Sequence, residues 1–152
     1  MGTAEQAEAA VGALRARIDT VVAADHGGQR RAATLIVTPG APVAAYGNQS
    51  AQHAQMEALG LVNIFADEEH RYFETSIEEV LDRDPEVIIL LDTSSDGSGD
   101  PAADLAAESR LGETTAVRTG RILVVPYSFT SQSPIAIQGL EDLARQLAAV
   151  PA

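Results

Sequence analysis

The sequence predicts an α/β fold with a mostly parallel sheet of about four to five strands. Short apolar runs rich in Val, Ile and Leu alternate along the chain with segments of helical spacing. These runs are continuous rather than alternating, which indicates strands covered on both faces. With 152 residues, 45% of them hydrophobic, the chain is long enough to form one domain with a real core.

In chain order, the predicted elements are helix 4–24, strand 34–38, helix 51–59, strand 61–65, a helix from Ser76 to about Arg83, strand 87–91, helix 101–109, strand 122–125 and a final helix from Pro134. The first helix is amphipathic because Ala10, Leu14 and Ile18 recur at helical spacing, and the glycines at 27–28 end it. The first strand ends where Pro39 begins a turn.

Turn and capping residues set the limits of the middle elements. A polar turn at 47–50 leads into the second helix, and Gly60 ends that helix. Ser76, with Glu79 three residues later, matches a capping box. The helix that Ser76 opens must end before Pro85, because proline disfavours a helical residue before it.

The second half of the chain contains the strongest strand, the apolar run 87–91. Asp100 as N-cap and Pro101 at the first helical position begin the next helix. Pro126 closes the last strand. The final helix has a predicted buried stripe made of Ile137, Leu140, Leu143, Ala144 and Leu147.

The net charge of −12 is concentrated in one stretch of the chain. Residues 67–108 carry 14 acidic side chains against Arg71 and Arg83, which accounts for the whole imbalance. Such a surface repels phosphate backbones and anionic lipid, so nucleic acid is not an expected partner. Most of these carboxylates are explained by a solvated face.

The ten basic residues are all arginine, and the chain has no cysteine. The absence of lysine excludes a P-loop, a protein kinase and Schiff-base chemistry. The absence of cysteine excludes thiol nucleophiles and Cys-ligated metals. The three histidines, at 26, 53 and 70, are not spaced as a metal site, so no catalytic residue and no metal ligand is predicted.

One glycine-rich loop offers an alternative function. Gly97 to Ala102 matches the dinucleotide pattern G-x-G-x-x-A between a strand and a helix. The alternative is therefore a small α/β nucleotide-binding module or enzyme that uses the Gly97–Ala102 loop. Asp96 and Asp100 count against it, because both carboxylates would face the pyrophosphate.

Aromatic residues follow two of the predicted strands. Tyr46 lies in the loop after strand 34–38, and Tyr127 and Phe129 lie in the loop after strand 122–125. Ligands of open α/β sheets bind beyond the carboxyl ends of strands. These rings either line a ligand cleft or cap the core.

Four segments give the chain a resemblance to a known family: Tyr46–Ser50, Gly60–Asp67, Tyr72–Leu81 continuing through Asp84–Ile89, and Ser133–Pro134 with Gly139–Ala144. In these segments the chain resembles the C-terminal lobe of the cluster A (class III) substrate-binding proteins of ABC importers. Members of that family carry ferric siderophores, haem or cobalamin. The resemblance covers roughly residues 4–150.

The resemblance implies a three-layer, Rossmann-like lobe preceded by part of a long interlobe helix. Residues 1–28 would be that helix segment, and 29–152 the C-terminal substrate-binding lobe. The expected partners are an N-terminal lobe of the same protein, missing from this sequence, and an ABC permease. The full-length protein would be extracytoplasmic, in the periplasm or lipid-anchored at the cell surface, although the first six residues do not resemble a signal peptide.

The resemblance also implies a role for particular residues. The expected ligand contacts are Tyr46, Asn48, Arg71, Tyr72, Tyr127 and Phe129. Glu78 takes the position of the glutamate that docks on permease arginines, and Tyr72 stands where the family commonly has tryptophan. The expected cargo is a ferric siderophore first, cobalamin second and haem third, with no resident cofactor. Arg71 has a plainer alternative role in a surface ion pair with Glu68 or Glu74.

Overall fold

The computed structural model describes residues 2–24, 26–130 and 134–151. Met1, Asp25, Ser131, Gln132, Ser133 and Ala152, which belong to segments named above, lie outside the described residues. The helices are α1 (Gly2–Ala23), α2 (Ala51–Ala58), α3 (Ile77–Arg83), α4 (Pro101–Ala107), α5 (Thr115–Thr119) and α6 (Ile135–Ala149). The strands are β1 (Arg31–Ile36), β2 (Val43–Ala45), β3 (Val62–Asn63), β4 (Phe73–Thr75), β5 (Val87–Asp92) and β6 (Ile122–Pro126). Short 3-10 helices occupy Ser109–Glu113 and Tyr127–Thr130.

Six strands form one sheet in the order β4-β2-β1-β5-β6, with β3 paired beside β1. β1 pairs in parallel with β3 and β5, and β5 pairs in parallel with β6. β2 runs antiparallel to both β1 and β4. The α/β class is confirmed, and the strands that the sequence did not predict are β2 and β4. Each has three residues, too few for a recognisable hydrophobic period.

Helices cover both faces of the sheet. One apolar cluster lies between the sheet and helices α1, α2 and α6, and it includes Val21, Met56 and Leu143. A second cluster lies under α3, α4 and α5 on the opposite face, and it includes Val80 and Leu105. This double cover explains why the central strand β5 is buried along its whole length.

α6 confirms the predicted stripe, because its five predicted residues are all buried. The Gln146 side chain of this helix also bonds the edge strand β6: it donates to the Val124 carbonyl at 2.7 Å and accepts from the Val124 N–H at 2.9 Å. α1 is different, since Val21 is the one buried side chain among its described residues 3–23. Arg17 of α1 forms an ion pair with Glu141 of α6.

The predicted N-cap residues are present, but the capping box is not reciprocal, because the Glu79 carboxylate accepts from Arg83 at 2.6 Å and not from the Ser76 N–H. The Ser76 hydroxyl accepts from the Glu79 N–H at 3.1 Å, and the Asp100 carboxylate accepts from the Ala103 N–H at 3.0 Å. The helix that Ser76 opens ends at Arg83, as Pro85 requires. Within the described part of the chain, no helix has the length and apolar character that crossing a membrane requires.

Candidate ligand-binding site

The three tyrosines of the chain lie near one another, with Tyr46 as the shared neighbour. The ring centroids of Tyr46 and Tyr72 are 5.7 Å apart in an edge-to-face arrangement. Tyr127 is close enough to Tyr46 to affect the ionisation of its phenol. Tyr46 is 6% exposed, whereas Tyr72 and Tyr127 are each 52% exposed. We call Tyr46, Tyr72 and Tyr127 the tyrosine cluster; its inner ring is fixed by packing and its outer rings face solvent.

Burial dominates the chemistry of the inner ring. It raises the pKa of Tyr46 to about 12, because the phenolate would lose hydration, and the two neighbouring tyrosines add to that effect. Arg71 acts in the opposite direction, since a cation nearby favours the phenolate. Tyr46 is therefore a neutral hydrogen-bonding phenol at physiological pH.

The path of the chain to Tyr46 differs from the sequence prediction. The loop after β1 leads into β2, which runs antiparallel to β1. Tyr46 therefore follows a returning strand and not the carboxyl end of a parallel one, so the reasoning from carboxyl ends was wrong for this residue. Tyr127 does follow the carboxyl end of β6, as predicted.

Asn48 ties the loop of Tyr46 to the segment before β4. Its side-chain amide donates to the Ala66 carbonyl at 3.0 Å, and its backbone N–H donates to the Glu68 carbonyl at 2.9 Å. A side chain on Gly47 would meet the Glu68 carbonyl oxygen at 2.3 Å, so only glycine permits this approach. These contacts hold the loop that contains Tyr46 next to the segment that leads to Tyr72.

Arg71 is exposed beside the tyrosine cluster. Among the ion pairs of residues 2–24, 26–130 and 134–151, none includes Arg71. Glu68, one of its two suggested partners, lies 3.6 Å from His70 instead. The guanidinium is therefore a cation placed at the rim of the cluster.

Phe129 is half-buried and packs against the first apolar cluster. Its carbonyl accepts from the Gln55 side chain at 3.3 Å. α6 approaches this segment so closely that a side chain on Gly139 would meet the Phe129 carbonyl oxygen at 2.5 Å. Phe129 therefore packs against the apolar core beneath the tyrosine cluster, and its ring is only partly exposed.

A buried residue that the sequence analysis did not single out supports Tyr46. The Asn63 side-chain amide, in β3, donates to the Tyr46 carbonyl at 3.1 Å, and its oxygen accepts from the Phe65 N–H at 3.0 Å. Asn63 is 3% exposed. The sequence offered one signal for it, a polar residue inside the apolar run 61–65. Such a residue predicts a buried amide, and a buried amide requires hydrogen-bond partners.

Glu78 lies beyond the other end of β4 from Tyr72. Its carboxylate accepts from Arg110, and this bond holds the pKa of Glu78 below its usual range. Both side chains remain more than half exposed. We call this pair and the start of α3 the Glu78 edge. A strand of three residues, about 10 Å long, separates it from the tyrosine cluster.

The glycine-rich loop uses its own donors internally. The Gly99 N–H donates to the Ser94 hydroxyl, and the Ser98 N–H donates to the Asp96 carboxylate. A phosphate would have to displace these acceptors beside several carboxylates, so the nucleotide alternative is not favoured. The described residues include no group of three or more His, Asp or Glu side chains placed to hold a metal ion.

Comparisons with known proteins agree with this architecture. Residues 1–128 match the model of the periplasmic binding protein family. No protein with a curated description matches the chain. A solved structure from Saccharomonospora viridis, described as an ABC-type Fe3+-hydroxamate transport system, is 37% identical with a TM-score of 0.81, covering 93% of this chain and 49% of that one.

Two structures from Vibrio cholerae share the fold at lower identity. The periplasmic haem-binding protein HutB is 16% identical with a TM-score of 0.82, and 96% of this chain aligns with 58% of it. The periplasmic vitamin B12-binding protein BtuF is 22% identical with a TM-score of 0.64, and 89% of this chain aligns with 51% of it. The chain thus spans about half the length of the structures that it matches. It belongs to the periplasmic binding protein family, in the class III group that the sequence resemblance indicated.

Proposed function

We propose that this chain is the C-terminal lobe of an extracytoplasmic substrate-binding protein of an ABC importer, with a ferric siderophore as cargo. The tyrosine cluster carries the proposal, because it combines two half-exposed rings with a cation, Arg71, at its rim. Rings supply flat apolar area, and a few fixed polar groups supply orientation. The 37% identical structure described as an Fe3+-hydroxamate transport system supports an iron chelate.

The state of Tyr46 favours a chelate whose iron is already fully coordinated. Burial raises the pKa of Tyr46 to about 12, so its phenol stays protonated and can donate hydrogen bonds at neutral pH, whereas ligating iron would require loss of that proton. Siderophore oxygens can accept such bonds, and the Arg71 guanidinium can donate further hydrogen bonds to chelate oxygens. Cobalamin is the second candidate and haem the third, since haem needs an axial ligand from the protein.

The role is binding rather than catalysis. The lobe would supply one wall of a cleft, and the N-terminal lobe would supply the other. Because half a cleft buries only part of a ligand, we expect the 152-residue chain to bind chelates weakly, with a Kd on the order of 0.1 mM.

Calorimetry tests the proposal with three probes: ferrioxamine B, cyanocobalamin and haemin. We expect heat with ferrioxamine B, at least about tenfold weaker binding in Tyr72→Leu and retention in Tyr72→Phe, because stacking needs the ring. Phe73→Leu is the matched control, since Phe73 is the next aromatic residue in the chain but contacts Phe65 instead. Equal affinity of Tyr72→Leu and the unchanged chain would contradict the proposed site, and submicromolar binding would contradict the half-cleft.

We further propose that Glu78 docks on the permease. The carboxylate is exposed and ionised, and the acidic stretch around it favours encounter with a basic surface. In the full-length protein, Glu78→Lys should impair transport and leave chelate affinity unchanged. Asp19→Lys, the same charge change on exposed α1, is the control. Loss of chelate affinity in Glu78→Lys would show that the docking role is wrong.

A further inference from the structure

The orientation of the buried Asn63 amide is determined by two backbone groups. The Phe65 N–H can only donate, so it requires the Asn63 oxygen. The Tyr46 carbonyl can only accept, so it requires the Asn63 nitrogen. Turning the amide over would break both bonds in a site that is 3% exposed. The amide therefore has one allowed orientation.

This orientation fixes the protonation of a neighbouring histidine. The Asn63 Nδ2 atom lies 3.2 Å from His53 Nδ1, and its second N–H points to that ring nitrogen. Since Nδ2 can only donate, Nδ1 must accept and carries no proton. The proton of the neutral ring then lies on Nε2, which is 3.3 Å from the Glu57 carboxylate.

His53 has little freedom to leave this position. Its side chain is 18% exposed, and its backbone N–H is bound to the N-cap hydroxyl of Ser50 at 3.0 Å. Glu57 is the charged group that faces the ring from its own helix, and its side chain is 66% exposed. From β3, the ring meets the neutral amide of Asn63, which in turn donates to the Tyr46 carbonyl.

We propose that His53 is a positioning residue for the tyrosine cluster: its neutral imidazole holds Asn63 against the Tyr46 carbonyl, and protonation of Nδ1 releases that hold. A proton on Nδ1 would place two donors against each other at 3.2 Å. The buried bond between Asn63 and the ring is then lost. The cluster is then ordered at neutral pH and loosened in acid.

This inference rests on the proposed function in one respect: if the cluster binds cargo, loosening it in acid would weaken the binding of that cargo. The structural claim can be tested without any ligand. The chain has no tryptophan, and its three tyrosines are the members of the cluster. The tyrosine band of the near-ultraviolet circular dichroism, at longer wavelength than the bands of the three phenylalanines, therefore reports on the cluster.

The experiment follows the tyrosine dichroism of the 152-residue chain from pH 8 to pH 5, the range in which histidines change charge. The unchanged chain should lose dichroism as the pH falls. His53→Asn should keep a constant signal, because its side-chain oxygen replaces Nδ1 as a non-titrating acceptor. His70→Asn, at an exposed histidine, should keep the transition of the unchanged chain.

A second measurement protects the test against poor folding of the variant. Nitrogen-15 NMR of the unchanged chain at pH 8 should show His53 Nδ1 unprotonated and Nε2 protonated. A proton on Nδ1 at pH 8 would overturn the proposal. So would a constant tyrosine signal in the unchanged chain, or the same transition in His53→Asn. Failure of chelates to bind would contradict only the proposed function.

Discussion

Tyr46 lies in a loop held by the buried side chain of Asn63, whereas Glu78 lies on a helix edge held by an exposed ion pair. The loop of Tyr46 is bound through the Asn63 and Asn48 side chains to backbone groups. The Glu78 edge is bound to Arg110 by charge, with both side chains more than half exposed. The first surface thus depends on a buried amide, that of Asn63, and the second on exposed charges for which water and salt compete.

The difference indicates how each surface suits its proposed role. A ligand wall benefits from side chains fixed before binding, because ordering them during binding would weaken affinity. A docking edge must exchange its internal partner for one on the permease, and an exposed ion pair can be exchanged at low cost. Substitutions in either region alter one side of this contrast.

The largest effect is expected for Asn63→Ala. This change leaves the Tyr46 carbonyl and the Phe65 N–H without their buried partner. We expect the free energy of unfolding to fall by about 3 kcal/mol, because each unpaired buried group costs about 1–3 kcal/mol. Chemical denaturation measures the loss. Asn48→Ala is the matched control and should cost about 1 kcal/mol, since its side chain donates one such bond, to the Ala66 carbonyl, at a less buried site. Equal losses would show that the two asparagines support the loop alike.

A smaller effect concerns the titration of Tyr46. Its folded pKa of about 12 lies above the usual value near 10, so the neutral phenol stabilises the folded state below pH 10. That contribution is lost as the pH rises from 10 to 12. Absorbance of phenolate should show one tyrosine that ionises near pH 12, and Tyr46→Phe should remove that step. Ionisation of all three tyrosines together near pH 10 would mean that Tyr46 is not buried.

The smallest effect is expected at the Glu78 edge. Arg110→Gln should raise the pKa of Glu78 towards the ordinary glutamate range, because the charged hydrogen bond is lost. Since the lowered pKa stabilises the folded state only above the titration range of glutamate, any stability that it adds disappears in acid. Carbon-13 NMR of the carboxyl group measures the shift. High salt should raise the pKa of Glu78 in the unchanged chain in the same direction. An unaltered Glu78 pKa in Arg110→Gln would show that Arg110 does not lower it.

Local signals in the sequence predicted the parts of the fold that depend on neighbours along the chain. The stripe of α6 and the Ser76 cap needed only helical spacing and one hydroxyl. β2 and β4 were missed because three residues carry no period, and their pairing joins residues about 30 positions apart. The loop position of Tyr127 followed from β6, whereas that of Tyr46 depended on the unpredicted return strand.

The support of the tyrosine cluster could not be predicted for the same reason. Asn63 and Tyr46 are 17 residues apart, and Gln55 and Phe129 are 74 apart. An asparagine in a buried apolar run predicts that its amide has a hydrogen-bond partner, but the sequence does not identify that partner. The Glu78 position followed from family resemblance, but its internal partner Arg110 is 32 residues away and emerged only from the structure.

The contact between Gln146 and Val124 also determines how this sheet meets other molecules. β6 is an edge strand, and unpaired backbone groups on such an edge are a template for pairing with another chain. The Gln146 amide takes up both the N–H and the carbonyl of Val124, as a neighbouring strand would. Pro126, at the end of the strand, offers no N–H. The edge is therefore blocked against sheet extension, which guards the lobe against aggregation through β6.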